Sequence, residues 1–157
     1  MNFQEWQETV PSDITQDPLW KLDVYRMALF ASEIGWQDVT TLHKNQLTRD
    51  LSSQLIRALD SISANIAEGY SRSTGKDRAR FMEYALGSAR ESRDWYYKSR
   101  RVLREEVVNH RINLLTQIVK ILSVLVPTQR KKGIREEQAE YNTISDNLDL
   151  DTEVPMP

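Results

Sequence analysis

Apolar residues recur every three or four positions along four stretches of the chain, and each stretch predicts an amphipathic helix. The first spans 18–38. Asp17 offers an N-cap and Pro18 a first helical position, where a missing N–H costs nothing. Leu22, Tyr25, Leu29, Ile34 and Trp36 follow as its stripe, and Gly35 weakens the helix near its end. The second, 46–68, carries Leu47, Leu51, Leu55, Ala58, Leu59, Ile62 and Ile66. The third, 76–104, is expected to reach about 43 Å at 1.5 Å per residue. Its core face reads Phe81, Tyr84, Ala85, Ser88, Ser92, Trp95, Ser99 and Val102, flanked by Tyr96 and Leu103. The fourth, 105–126, aligns Val108, Ile112, Leu115, Val119, Leu122 and Val126, and Pro127 is expected to stop it. Four such helices with short joints predict an all-α fold, an antiparallel up-down-up-down four-helix bundle over 18–133. Residues 1–17 have no clear period and read as a loosely held acidic arm. Residues 134–157 hold too little apolar material for a core and read as an acidic, mostly disordered tail, with at most a helical turn near 136–141.

The joint between the second and third helices is the most distinctive stretch. Ser61, Ser63, Ala64 and Ala67 keep the incoming helix slim, and Gly69 falls where a left-handed C-terminal residue is expected. Gly87, Ser88 and Ala89 then offer a low patch against which a neighbour can lie close. The run Asn65-Ile66-Ala67-Glu68-Gly69-Tyr70, with Arg72 after it and Ala85-Leu86-Gly87-Ser88 further on, resembles the bacterial family of 23S rRNA intervening-sequence proteins. The resemblance covers roughly 19–126. It implies a four-helix bundle, a ring-forming homopentamer and no established enzymatic activity. It also implies kinship with accessory proteins of diversity-generating retroelements, which work with a reverse transcriptase and nucleic acid.

Charge changes the picture of what the bundle could bind. The net charge is −2 over 157 residues, unlike the basic character of those accessory proteins. The distribution is uneven: acids dominate both ends, while the span 18–133 is rich in Lys and Arg. Such asymmetry bears on partners rather than on fold. There is no Cys, which suits a reducing cytoplasm and removes disulfides and thiolate metal sites. The N-terminus lacks the basic and apolar regions of a secretory signal. The longest apolar run, 118–126, is interrupted by Lys120 and Ser123, so no membrane span is expected. A cytoplasmic protein is the resulting expectation.

Little points to catalysis. His43 and His110 stand in polar surroundings without a carboxylate or second His at ligand spacing. No phosphate loop, nucleophile elbow or zinc-helix motif is present, so no enzyme, cofactor, metal or catalytic residue is assigned. Glu68, Arg72 and Glu91 read either as a polar cluster by a groove or as ion pairs and caps of the joint. Asn65 reads as a residue satisfying helix-end carbonyls. With Gly69, Gly87 and Ser88, these form the structural motif.

The third helix offers the sharpest binding signal. On a wheel of 100° per residue, Arg90, Arg93, Tyr97, Arg100, Arg101 and Arg104 fall within an arc of about 100°. Arg72, Lys76, Arg78 and Arg80 add positive charge near the joint. Arg suits phosphates and Tyr97 could stack on a base, so these ten residues form a candidate nucleic-acid footprint. The competing reading is a solvated face whose arginines pair with acids of another helix or subunit. Met82, Leu86 and Ala89 point away from the expected core and read as an oligomer seam. The combined expectation is a non-enzymatic, ring-like homo-oligomer. It contacts RNA or DNA, a reverse transcriptase or another protein, and no membrane. The alternative is a protein-interaction scaffold with no nucleic-acid role.

Overall fold

The computed structural model describes residues 1–132 and 153–157. Four long helices form the body: α3 (Asp23–Lys44), α4 (Arg49–Tyr70), α5 (Gly75–Ser99) and α6 (Glu105–Lys131). Two short helices, α1 (Phe3–Thr9) and α2 (Ser12–Thr15), precede them. The described residues contain no strand. Successive long helices run in opposite directions, as their contacts require. Ser32 of α3 meets Asp60 of α4, while His43 further along α3 meets the earlier Ser52 of α4. Ser61 of α4 meets Ser88 of α5. Arg78 and Arg93 of α5 meet Gln129 and Thr116 of α6. Leu42, Leu55, Leu59, Ile62, Ile66, Ala85, Leu115, Ile118 and Leu122 fill the centre.

The N-terminal arm differs from expectation. Asn2 accepts from the Glu5 amide at 2.8 Å, and the Glu5 carboxylate accepts from the Asn2 amide at 2.9 Å, a reciprocal cap that starts α1. Phe3 and Trp6, three apart on one face, bury against Phe30, with ring centroids 5.1 and 5.3 Å away. Arg26 of α3 donates to Gln7 at 2.9 Å. Through Phe3 and Trp6, α1 is part of the core, whereas α2 buries none of its residues.

Helix ends also shift. Pro18–Lys21 forms a 3-10 turn, and α3 starts only at Asp23 and continues to Lys44. Another 3-10 turn, Gln46–Thr48, leaves Leu47 94% exposed, off the core stripe. Gly69 lies inside α4 with no positive φ. Its role is proximity, since a methyl there would stand 2.9 Å from Phe81 Cβ. Thr74 caps α5 through the Asp77 amide at 3.1 Å. Helix α5 ends at Ser99, whose carbonyl accepts from Val102 and Leu103 in a tight turn that buries Leu103. Pro127 does not end α6. It lies on the exposed side, and buried Gln129 beyond it takes a 2.9 Å bond from Arg78 Nε, which holds the last turn against α5. The expected helical turn at 136–141 and most of the tail lie outside the described residues, but Val154 is buried against the bundle.

Helix α6 is long and apolar enough, by length and composition, to cross a membrane. Its buried stripe, Val107, Leu114, Ile118, Leu122 and Leu125, is committed to the bundle.

Candidate nucleic-acid interface and the buried polar centre

The ten cationic and aromatic candidates do not form one surface. Arg72, Lys76, Arg78 and Arg80 stand at the start of α5, and Arg90 to Arg104 at its far end. Ten residues of α5, about 15 Å at 1.5 Å per residue, separate Arg80 from Arg90, and the turn with Arg100, Arg101 and Arg104 lies beyond the helix end. Arg78 is buried and cannot meet a phosphate. Its guanidinium bonds the Arg72 and Ser73 carbonyls and Gln129, which fastens the 71–74 joint to the end of α6. Arg72 pairs with Glu68 and lies 4.6 Å from the Phe81 ring centroid. Lys76 and Arg80 are exposed.

The far group forms a corner where α5 turns into α6. Arg90, Tyr97, Arg100 and Arg101 are exposed, while Arg93 is half-buried and donates to Thr116 at 3.3 Å. The Arg100 guanidinium lies 3.9 Å from the Tyr97 ring centroid and donates to the Tyr97 carbonyl at 2.9 Å. Tyr97 is 55% exposed, so this cation–ring pair stands in solvent. Because α5 stops at Ser99, Arg100, Arg101 and Arg104 lie on the turn rather than on the helix face assigned from the wheel. Arg104 pairs with Glu106 at 2.7 Å and donates to the Met156 carbonyl.

The expected oligomer seam is misplaced. Met82 and Ala89 are buried and Leu86 is half-buried, all within the subunit's own core. The core face of α5 is Arg78, Met82, Ala85, Ala89, Ser92, Tyr96 and Ser99, stepping by four and three. It is rotated from the expected face by about 65° at 100° per residue, and Ala85, Ser92 and Ser99 belong to both. Tyr84, placed inside by the sequence reading, is exposed. Gly87 is exposed as well, and a methyl on it would touch nothing. The remaining motif residues are architectural in geometry. Asn65 Nδ2 donates to the Ser61 carbonyl at 2.7 Å and to Ser61 Oγ at 2.9 Å, and Ser88 reaches Ser61 from α5 at 3.0 Å. Glu91 accepts from Trp95 Nε1 at 3.2 Å.

Sequence reading missed a buried polar centre. Asp38 and Arg111 are sealed from solvent, with Arg111 Nε 2.8 Å from Asp38 Oδ2 and Nη2 3.2 Å from Oδ1. Tyr96 donates to the same carboxylate at 2.8 Å. Burial pushes the Asp38 carboxyl above its ordinary range, with Arg111 and Tyr96 pulling the other way. Burial and the Asp38 charge drive the Tyr96 phenol well up. His110 Nδ1 meets Arg111 Nη1 at 3.0 Å, and burial with that neighbouring cation lowers it to about 4. A signal was present: Asp38 interrupts the stripe Ile34–Leu42 in α3, and Arg111 interrupts Val107–Leu114 in α6. Opposite charges on two inward stripes predict each other.

A third feature is apolar. Trp36 is 63% exposed and stands between two open depressions of about 510 and 420 Å³. The first is lined by Trp6, Val10, Pro11, Ile14 and Leu29, the second by Val39, His43 and Ile56.

The fold is thus a small all-α protein built on four antiparallel helices, with a polar centre buried among them and an arginine-rich corner outside. Residues 20–124 match the family described as 23S rRNA-intervening sequence protein, and the chain belongs to that family. No curated protein and no solved structure matches the chain.

Proposed function

We propose that the chain is a non-enzymatic binding module whose α5–α6 corner contacts single-stranded nucleic acid. The observation that carries this reading is the solvent-facing Tyr97–Arg100 pair, with Arg101 exposed on the same turn and Arg90 exposed further back on α5. A guanidinium held over a ring presents a flat cationic surface on which a base can stack while its phosphate meets a neighbouring arginine. The sequence resemblance supports assembly into a ring of five, which would repeat the corner around an axis and strengthen weak single contacts. It also supports a partner that processes nucleic acid, such as a reverse transcriptase.

The test is anisotropy of labelled single-stranded RNA and DNA across a salt series, with wild type and the R100E/R101E double variant. Salt-dependent binding that the variant loses is the expected result. Single-strand affinity should fall with log salt at about −0.7 per phosphate neutralised. Binding that survives both high salt and charge reversal overturns the reading.

A second reading, a protein-interaction scaffold without nucleic acid, has its own observation in Trp36 and Leu47. Apolar side chains this exposed suit a protein surface. Binding through them would be nearly indifferent to salt.

A further inference from the structure

The last residues of the chain return to the bundle. Val154 is buried in the core cluster, Arg111 Nη2 donates to the Pro155 carbonyl at 3.0 Å, and Arg104 donates to the Met156 carbonyl. The contact is specific in its chemistry. Asp38 takes Arg111 Nε and one side of Nη2, His110 meets Nη1, and the Pro155 carbonyl takes the other side of Nη2. Proline has no N–H to leave unpaired at such a place. Val154 supplies the apolar anchor, and Arg104 is held on the open side, next to the α5–α6 turn. Glu153, just ahead of the anchor, is exposed, and Asp149 and Asp151 precede it in sequence.

We propose that residues 153–157 are a tethered competitor for the anionic ligand of the α5–α6 corner. Latched by Val154 and Arg111, the segment occupies one side of the Arg104 guanidinium with the Met156 carbonyl, beside the Glu106 carboxylate that already pairs with it, and carries exposed Glu153 one residue ahead of the anchor. The nucleic acid and the segment then exclude one another at Arg104. This inference rests on the reading of the corner as a nucleic-acid surface.

The experiment uses the full chain, wild type and V154S, with V154I as the conservative control. The probe is fluorescein-labelled oligouridylate, titrated over a salt series. The Nε–Hε resonance of Arg111 reports whether the segment is docked. In V154S this resonance should shift, and the oligouridylate should bind about threefold tighter, on the order of one phosphate contact. The log–log salt slope should steepen by about 0.7 for the one cation released. V154I should match wild type, and adding R104Q to V154S should remove the gain. A shifted Arg111 resonance with unchanged affinity overturns the competition but leaves the corner's role intact, since R100E/R101E would still abolish binding. An unmoved resonance in V154S overturns the latch. No binding by either chain overturns the competition together with the reading beneath it.

Discussion

Arg111 grips Asp38 with two nitrogens, one on each carboxylate oxygen, at 2.8 and 3.2 Å, and neither side chain reaches solvent. Removing one partner strands the other charge in the core, which typically costs about 3–5 kcal/mol. D38A and R111A should each lower stability by that order in urea unfolding. Y96F, which removes only the phenol donor from Asp38, should cost about 1–3 kcal/mol. Replacing the pair together, as D38L/R111M, should be milder than the sum of the single losses. Additive losses would mean that the two groups do not act as a pair.

The glycines should respond in opposite directions. A methyl at Gly75 would run into the carbonyl oxygens of Gln129 and Lys132, where α5 begins against the end of α6. These are backbone atoms and cannot swing aside. G75A should therefore destabilise sharply. At Gly87 a methyl meets open space, so G87A should stabilise by about 0.5–1 kcal/mol through helix propensity alone. Thermal unfolding of the two variants checks both signs. Light scattering on G87A adds a further reading: a loss of mass would place another copy against that face.

His110 sets a pH dependence. In the native chain it stays neutral down to about pH 4, against 6.5 for a free imidazole. Between those values the unfolded chain binds more protons, so stability rises with pH across this window and falls as acid is added. Asp38, held high by burial, acts in the opposite sense at the acid end. The comparison with H110N isolates the imidazole. Its Tm advantage over wild type should grow as pH drops from 6.5 to 4, and a constant difference would refute the assignment.

The arm should contribute to stability. Trp6 contacts Phe3, Trp20 and Phe30, with centroids between 5.3 and 6.0 Å. W6A should cost about 3 kcal/mol, the lower end for aromatic truncation in a core. Chemical denaturation measures it, and a loss under about 1 kcal/mol would mean that the arm is peripheral.

The four long helices were legible because their apolar residues step by three and four. The rotation of α5 was not, because that helix inverts the usual rule. Tyr84 faces solvent, while Arg78 faces inward with a bond to Gln129, and Met82 and small Ala89 bury beside it. Small and polar inward residues carry little periodic signal. The arm was read as loose because its acids hid a local cap, Asn2 with Glu5, and a pair of aromatics three apart. The end of α5 was missed because nothing breaks the helix chemically at Ser99. Burial of Leu103 turns the chain there, and that is a tertiary effect. The corner arginines were found by residue type, but their geometry depended on the turn.

Trp36 has one practical consequence. The protein has four tryptophans, and the burial of Trp6 sets it apart from Trp36, whose indole stands in water between two depressions. Any molecule that covers that face, another copy included, changes the polarity around one identifiable chromophore. The protein therefore carries an intrinsic optical sensor: a blue shift in emission upon assembly, abolished in W36F, would locate the contact without a label.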